Sequence, residues 1–415
     1  MDKFIPSSYQ VEEIYPPASK SIAQRYILAA ALQKKKIKLK NCGESDDVKN
    51  LLKAIVHLGS SVSMHPDYLE ITPALQINKS PVHVGESGLA LRLMIPVLSV
   101  LSDEFEITGS GTLLKRTIRS AEIFLNNAGL KTQSKNNFLP LHVKGNLSGG
   151  NFVLNAEDGS QFLSGLLMAL PLCKKDSQIK VIGLKSKPYI DLTIDVLNHF
   201  NIKTENRNYE TFIIPGNQQY QAVSDQFTIE NDFSGAANWI VSGAIGKNKI
   251  RLKGLNENSL QGDAFILDAI KRCGAQSTWK DDVLEINASK ELIPFEFDAT
   301  DCPDLFPPLV VLAAAIKGTS KIKGISRLVN KESNRAVVLQ QEFSKAGLKI
   351  DLQNDLMMIH ATGTLESCTI ESNNDHRIAM AAAISSQLTS HGLTVSGVEC
   401  VSKSYPDFWK HLGIS

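Results

Sequence analysis

The chain has 415 residues, 43% of them hydrophobic, and 44 basic against 43 acidic residues leave a formal net charge of +1. That length supports two domains, each with its own core. Near-neutrality excludes a global field able to hold nucleic acid, so any bound anion must be small and locally held. The cysteines, Cys42, Cys173, Cys273, Cys302, Cys368 and Cys400, show no CxxC or CxH spacing. Neither a disulfide framework nor a zinc site is expected from them.

In chain order, Met1 to Tyr15 carries Asp2, Glu12 and Glu13 and no apolar segment, so it does not read as a signal peptide. No apolar run approaches the ~18 to 20 residues that a membrane span needs. The expectation is a cytoplasmic protein without a membrane partner. Ser19-Lys20-Ser21 then opens a small-residue run from Ile27 to Leu32, read as a helix start facing a ligand. Five further starts of this design follow: Gly85-Glu86-Ser87-Gly88, Asp158-Gly159-Ser160-Gln161, Asn231-Asp232-Phe233-Ser234, Asp301-Cys302-Pro303-Asp304 and Asn374-Asp375-His376-Arg377. Their spacing of roughly 65 to 75 residues marks an internal repeat.

Between these starts recurs a β-like run followed by an amphipathic helix: Ile37 to Gly59, Phe105 to Gly129, Ile179 to Asn201, Ile250 to Gly274, Ile322 to Gly347 and Leu393 to Gly413. Val48, Leu51, Leu52 and Ile55 fall on one helical face. Glycine at five of the six ends supplies the left-handed residue that terminates many helices. Two β-like stretches follow each amphipathic helix; Phe212 to Pro215 and Gln226 to Ile229 are taken as those of the third. Each repeat reads strand, helix, strand, helix, strand, strand. Six repeats give two domains of three, residues 18–229 and residues 1–17 plus 230–415, with the N-terminal segment expected to pair with the second.

Cations at helix starts oppose the helix dipole by ~0.3 to 1 kcal/mol each. Lys20 and Arg25 nevertheless open the first small-residue helix and His376-Arg377 the sixth, while Lys331 and Arg335 read as an i,i+4 like-charge pair on a helix. An anion shared by these groups would turn that cost into binding. Asp46-Asp47 reads as helix-start capping. The GxxxxGK[ST] loop, GxGxxG, GxSxG and HExxH patterns are missing, which removes support for nucleotide hydrolysis, dinucleotide binding and two hydrolase classes.

The sequence resembles the 5-enolpyruvylshikimate-3-phosphate synthase family of enolpyruvyl transferases from about Pro16 to its C-terminus. The resemblance is carried by Ser19-Lys20-Ser21 through Arg25, Ser186-Lys187-Pro188-Tyr189-Ile190-Asp191, Lys331-Glu332 with Arg335, Asn374-Asp375-His376-Arg377, and Lys403 ahead of Tyr405-Pro406-Asp407. It implies an α/β, two-domain, inverse α/β barrel-like fold, each domain having three βαβαββ repeats around a pseudo-threefold axis, with the active site in the interdomain cleft. The implied reaction moves the carboxyvinyl group of phosphoenolpyruvate to the 5-hydroxyl of shikimate 3-phosphate and releases phosphate through a tetrahedral intermediate. A monomer with no metal or organic cofactor is expected.

By the same resemblance, shikimate 3-phosphate is held by Ser21, Arg25, Ser160, Gln161, Ser186, Tyr189, Asp304 and Lys331. Phosphoenolpyruvate is held by Lys20, Gly88, Arg116, Gln161, Arg335, Arg377 and Lys403, Gly88 leaving room for close approach. Asp304 is the implied base, Glu332 the proton donor, and Lys20 assists transfer. The chain departs from the family pattern at Glu86, where an amide usually faces the anion, at Leu89, at Gly159 in place of a serine, and at Arg327 and Asn334. The alternatives are a UDP-N-acetylglucosamine enolpyruvyl transferase and a non-catalytic phosphometabolite-binding protein of the same fold. Ser110 stands in the loop where the former typically has a reactive cysteine.

Overall fold

Two kinds of helix alternate along the chain, and their burial explains the division of labour. The computed structural model describes residues 1–78, 80–246, 249–288 and 291–414. In the unit Ala18–Ile229 the helices are α1 (Lys20–Leu32), α2 (Asp46–Val56), α3 (Gly88–Leu101), α4 (Arg119–Asn127), α5 (Gln161–Ala169) and α6 (Pro188–His199). Residues Ile22 through Leu32 of α1 are all buried. A helix that is apolar or small on every side belongs in a core, and α3 and α5 pack in the same way. By contrast, α2 turns only Val48, Leu51, Ala54 and Ile55 inward among its apolar residues, with Leu52 half-buried.

Pro96 sits inside α3 and carries no N–H, so it cannot make the usual helical bond to the residue one turn before it. Gly165 of α5 packs there: a Cβ at Gly165 would lie 2.2 Å from Arg92 O and 3.0 Å from Pro96 Cγ. The two core helices therefore meet through a position that tolerates no side chain.

Among the described residues three open four-stranded sheets cover this core. In the second, Val82–His83 runs parallel to Glu104–Thr108, which pairs antiparallel with Phe138–Lys144 and then Lys131–Lys135. The third repeats the pattern with Gly150–Asn155, Ser177–Ile182, Thr211–Ile214 and Glu205–Arg207. The first corrects one sequence expectation. Gln226–Thr228 does not finish the third repeat but lies parallel to Lys38, Leu39 and Lys40 of the first. The sheets are separate and open, not closed barrels.

The unit Met1–Pro17 with Glu230–Ser415 contains α7 (Phe233–Ile245), α8 (Ile266–Arg272), α9 (Phe306–Ala314), α10 (Arg335–Ser344), α11 (His376–Ser385) and α12 (Phe408–His411). Here α7, α9 and α11 are the buried helices. The N-terminal segment supplies two strands: Glu13–Ile14 runs parallel to Ile250–Lys253, and Asp2–Ile5 runs antiparallel to Leu393–Ser396. Between Leu393 and Gly413 the expected strand forms over Leu393–Ser396, but in place of the amphipathic helix there are a 3-10 turn over Val398–Lys403 and the short α12. Gly59, Gly129, Gly274, Gly347 and Gly413 all have positive φ at the ends of amphipathic segments, and Asn201 takes that role in the third repeat. No helix of the described residues is long and apolar enough to cross a membrane.

Candidate active site

The residues singled out in the sequence fall into groups within each unit. In the first, α1 begins at Lys20, whose ammonium donates to Asp47 at 2.8 Å. Asp47 therefore does more than favour the start of α2: it holds Lys20. Ser19 occupies the N-cap position of α1 but makes no capping bond, and its buried hydroxyl has no hydrogen-bond partner among the described residues.

Arg25 lies one turn further on and is fully buried. Its Nε donates to Thr193 Oγ1 at 2.8 Å, Nη1 to Ser21 O at 2.7 Å, and Nη2 to Tyr189 O at 3.1 Å and Ser164 Oγ at 3.2 Å. Among the described residues Arg25 has no carboxylate partner. Burial pushes its pKa down to about 10. An uncompensated buried guanidinium costs several kcal/mol, on the order of the penalty for any desolvated ion, unless an anion offsets it. Arg25 also ties α1 to α5 and α6, so an anion bound near it would bear on all three helices.

Tyr189 stands in the first turn of α6, next to Ser186, whose φ of +59° is a conformation that non-glycine residues seldom adopt. Asp191 accepts from the Tyr209 hydroxyl through both carboxylate oxygens, at 2.9 and 3.0 Å. Burial raises the Asp191 carboxyl, with the Tyr209 bond opposing. Ser160 precedes α5, and Gln161 is the first residue of that helix. At Gly159 the φ is +129°, a backbone that side chains rarely take, so glycine suits the turn ahead of α5.

Gly88 opens α3, and the space above it is filled by Arg116: a Cβ on Gly88 would sit 2.4 Å from Arg116 Nη1. The close approach permitted by this glycine is that of a guanidinium. Glu86, expected to oppose an anion, is engaged by the loop before Arg116. Its Oε2 accepts from Thr112 N at 2.9 Å and Thr112 Oγ1 at 2.7 Å.

In the second unit the charged residues form one network around Asp304. Its Oδ1 accepts from Arg335 Nη1 at 2.8 Å and Lys331 Nζ at 3.1 Å, and its Oδ2 pairs with Arg377 Nη2 at 2.9 Å. Burial works against the charge of Asp304, yet Arg377, Lys331 and Arg335 together hold its carboxyl well below the usual range. Burial lowers the Lys331 ammonium, with Asp304 opposing. Glu332 Oε2 accepts from Arg335 Nη2 at 2.8 Å. The two candidate proton carriers, Asp304 and Glu332, thus share one guanidinium.

Arg335 is fully buried and held from behind by Asp375, which accepts from Nε at 2.9 Å and Nη2 at 3.2 Å. Asp375 also caps α11 by accepting from Arg377 N at 3.0 Å. Burial opposes the charges of Arg335 and Arg377, but the surrounding carboxylates outweigh it and raise both. Lys403 Nζ donates to Asn374 O at 2.9 Å. Lys331 and Glu332 precede α10, which begins only at Arg335, so the expected i,i+4 pair on a helix does not exist. What brings these cations together is a shared carboxylate.

Several contributors gave little or no sequence signal. Thr193 and Ser164 lie inside helices with nothing in the local pattern to mark them, and the Asn374-Asp375-His376-Arg377 run does not by itself assign Asp375 a role. Asp263, buried and bonded to Ser234, has its carboxyl pushed up to about 6 by burial and by the charge of Asp304, with Arg377 opposing. A Ser/Asp-rich helix start does not reveal which neighbour its carboxylates will meet.

Comparison with known proteins follows the same outline. A relative from Clostridium kluyveri named 3-phosphoshikimate 1-carboxyvinyltransferase is 36% identical over 397 residues, 95% of this chain and 92% of the relative. One of the same name from Pseudoalteromonas atlantica is 34% identical over 406 residues, 95% and 94% of the two chains. A solved EPSP synthase from Acinetobacter baumannii superposes with a TM-score of 0.84 at 22% identity, covering 99% of this chain and 97% of that one. The enolpyruvyl transferase NikO from Streptomyces tendae superposes with a TM-score of 0.76 at 14% identity, covering 99% and 96%. The sequence model for EPSP synthase (3-phosphoshikimate 1-carboxyvinyltransferase) matches residues 6–412, and the chain belongs to that family.

Proposed function

We propose that this chain transfers the carboxyvinyl group of phosphoenolpyruvate to the 5-hydroxyl of shikimate 3-phosphate and releases inorganic phosphate, a step of aromatic amino-acid biosynthesis. The observation that carries the mechanism is the Asp304 carboxylate surrounded by Lys331, Arg335 and Arg377, with Glu332 on the same Arg335. In this state three cations suppress the basicity of Asp304. A doubly anionic substrate that draws Arg335 and Arg377 to itself releases the carboxylate, so its pKa rises when a base is required.

Asp304 then accepts the proton of the 5-hydroxyl as its oxygen bonds to C2 of phosphoenolpyruvate. Glu332 delivers a proton to C3, giving the tetrahedral adduct. Return of a C3 proton to Glu332 re-forms the double bond as the C2–O bond to phosphate breaks, and the proton held by Asp304 leaves with the expelled phosphate, which restores the carboxylate. Arg335 and Arg377 stabilise the charge on the substrate throughout. We assign Ser21, Arg25, Ser160, Gln161, Ser186, Tyr189, Asp304 and Lys331 to shikimate 3-phosphate. Lys20, Gly88, Arg116, Gln161, Arg335, Arg377 and Lys403 are assigned to phosphoenolpyruvate, with Lys20 assisting phosphate departure. The same reading has the chain working as a cytoplasmic monomer.

The test is phosphate release from phosphoenolpyruvate with shikimate 3-phosphate or UDP-N-acetylglucosamine as acceptor, in the native chain and in Asp304→Asn and Glu332→Gln. Release with shikimate 3-phosphate alone, lost in both variants, is the expected result. Release with the nucleotide sugar, or tight shikimate 3-phosphate binding without turnover, overturns it.

A further inference from the structure

We propose that Glu86 is a positioning residue that latches the loop carrying Arg116 onto the start of α3, so that the arginine stands over Gly88 before any substrate arrives. The inference rests on the function proposed above. A carboxylate beside an anion-binding arginine is at first sight a defect, because it repels the ligand that the arginine attracts. The geometry gives it another use.

Glu86 Oε2 accepts two bonds from one residue, the backbone N and the hydroxyl of Thr112. The loop is pressed against that carboxylate: a Cβ at Gly111, where φ is +55°, would lie 2.2 Å from Glu86 Cδ. Two backbone bonds complete the fastening, Ser110 N to Gly85 O at 2.9 Å and Leu113 N to Ser110 O at 3.2 Å. The turn over Gly111–Lys115 then closes with Arg116 N donating to Leu113 O at 3.1 Å. The chain thus runs from Glu86 through Thr112 and one tight turn to Arg116. Its guanidinium comes back to Gly88, two residues beyond Glu86. The latch and the arginine it positions bracket the first residue of α3. Bonds accepted by a charged group are stronger than neutral ones, which suits a carboxylate better than an amide for holding a glycine-containing loop in one conformation.

Latching and repulsion predict opposite signs. KM for phosphoenolpyruvate and kcat would be measured by phosphate release at saturating shikimate 3-phosphate in Glu86→Ala, Glu86→Gln, Thr112→Val and the Ala/Val double variant. Amide exchange over residues 110–116 would be measured in the free proteins. Under latching, Glu86→Ala raises KM on the order of tenfold with kcat within about threefold, and the loop exchanges faster. Glu86→Gln, which keeps an acceptor, recovers most of the loss. Thr112→Val keeps the backbone bond and falls between, and the double variant is no worse than Glu86→Ala. A lower KM in Glu86→Ala, or loop exchange unchanged in that variant, overturns the proposal. A native chain that does not turn over counts against the proposed function, and the exchange comparison then decides the latch by itself.

Discussion

Replacing Asp304 by asparagine separates the two tasks proposed for it, because the carboxylate assigned as base would also compete with the substrate for its cations. The side chain keeps its shape and loses its charge. Three ion pairs disappear, at 2.8, 2.9 and 3.1 Å from Arg335, Arg377 and Lys331. At an effective dielectric constant of about 20, two unit charges 3 Å apart attract by about 5.5 kcal/mol gross. A substrate anion approaching the native site must draw the cations away from that attraction; in the variant it need not. If only a quarter of one pair's gross energy reaches the ligand, the gain is about 1.4 kcal/mol, or tenfold in affinity. Loss of a general base lowers turnover by roughly 10²- to 10⁴-fold. The assay is phosphate release for kcat, paired with calorimetric titration of phosphoenolpyruvate into the variant with shikimate 3-phosphate present. Near-native turnover, or binding that weakens along with it, refutes the reasoning.

Arg25→Met should weaken shikimate 3-phosphate binding at least about a hundredfold, measured by titration. It should shift the melting temperature only slightly, because the desolvation cost relieved with the guanidinium offsets the four hydrogen bonds lost, and Thr193 Oγ1 keeps its bonds to Ser164 Oγ and Tyr189 O. Asp263→Asn should raise the melting temperature at pH 8 but not at pH 4. An acid whose folded pKa is raised from 3.8 to about 6 costs stability that develops as pH climbs through that window and stays lost above it. Calorimetric scans at the two pH values decide this, and equal shifts would remove Asp263 from the coupling with Asp304. Gly165→Ala should destabilise the unit Ala18–Ile229 by about 1 to 3 kcal/mol or more in denaturant titration, since the new methyl meets the backbone carbonyl of Arg92. Native stability in that variant would mean that α3 and α5 can slide apart freely.

Whatever depends on local periodicity and covalent freedom is legible along the chain. Small-residue runs specify helices buried all round, as in α1, and one apolar stripe specifies α2. Glycines at five segment ends supply the left-handed residue there. The regular return of the helix starts disclosed the repeat, and the motifs on them carried the family. Tertiary structure decided what depends on partners remote in the chain. Gln226–Thr228 looked like any short strand, and only its neighbour Lys38–Lys40 assigns it to the first sheet. Lys331 and Arg335 showed a spacing of four but no helix between them, because Asp304 gathers both from the end of another segment. Glu86 is a misplaced charge by its position in the chain and an anchored one by its contact with Thr112. A side chain's charge and shape are written in the sequence, but its electrostatic meaning belongs to the groups within about 3 Å of it, and those are chosen by the fold.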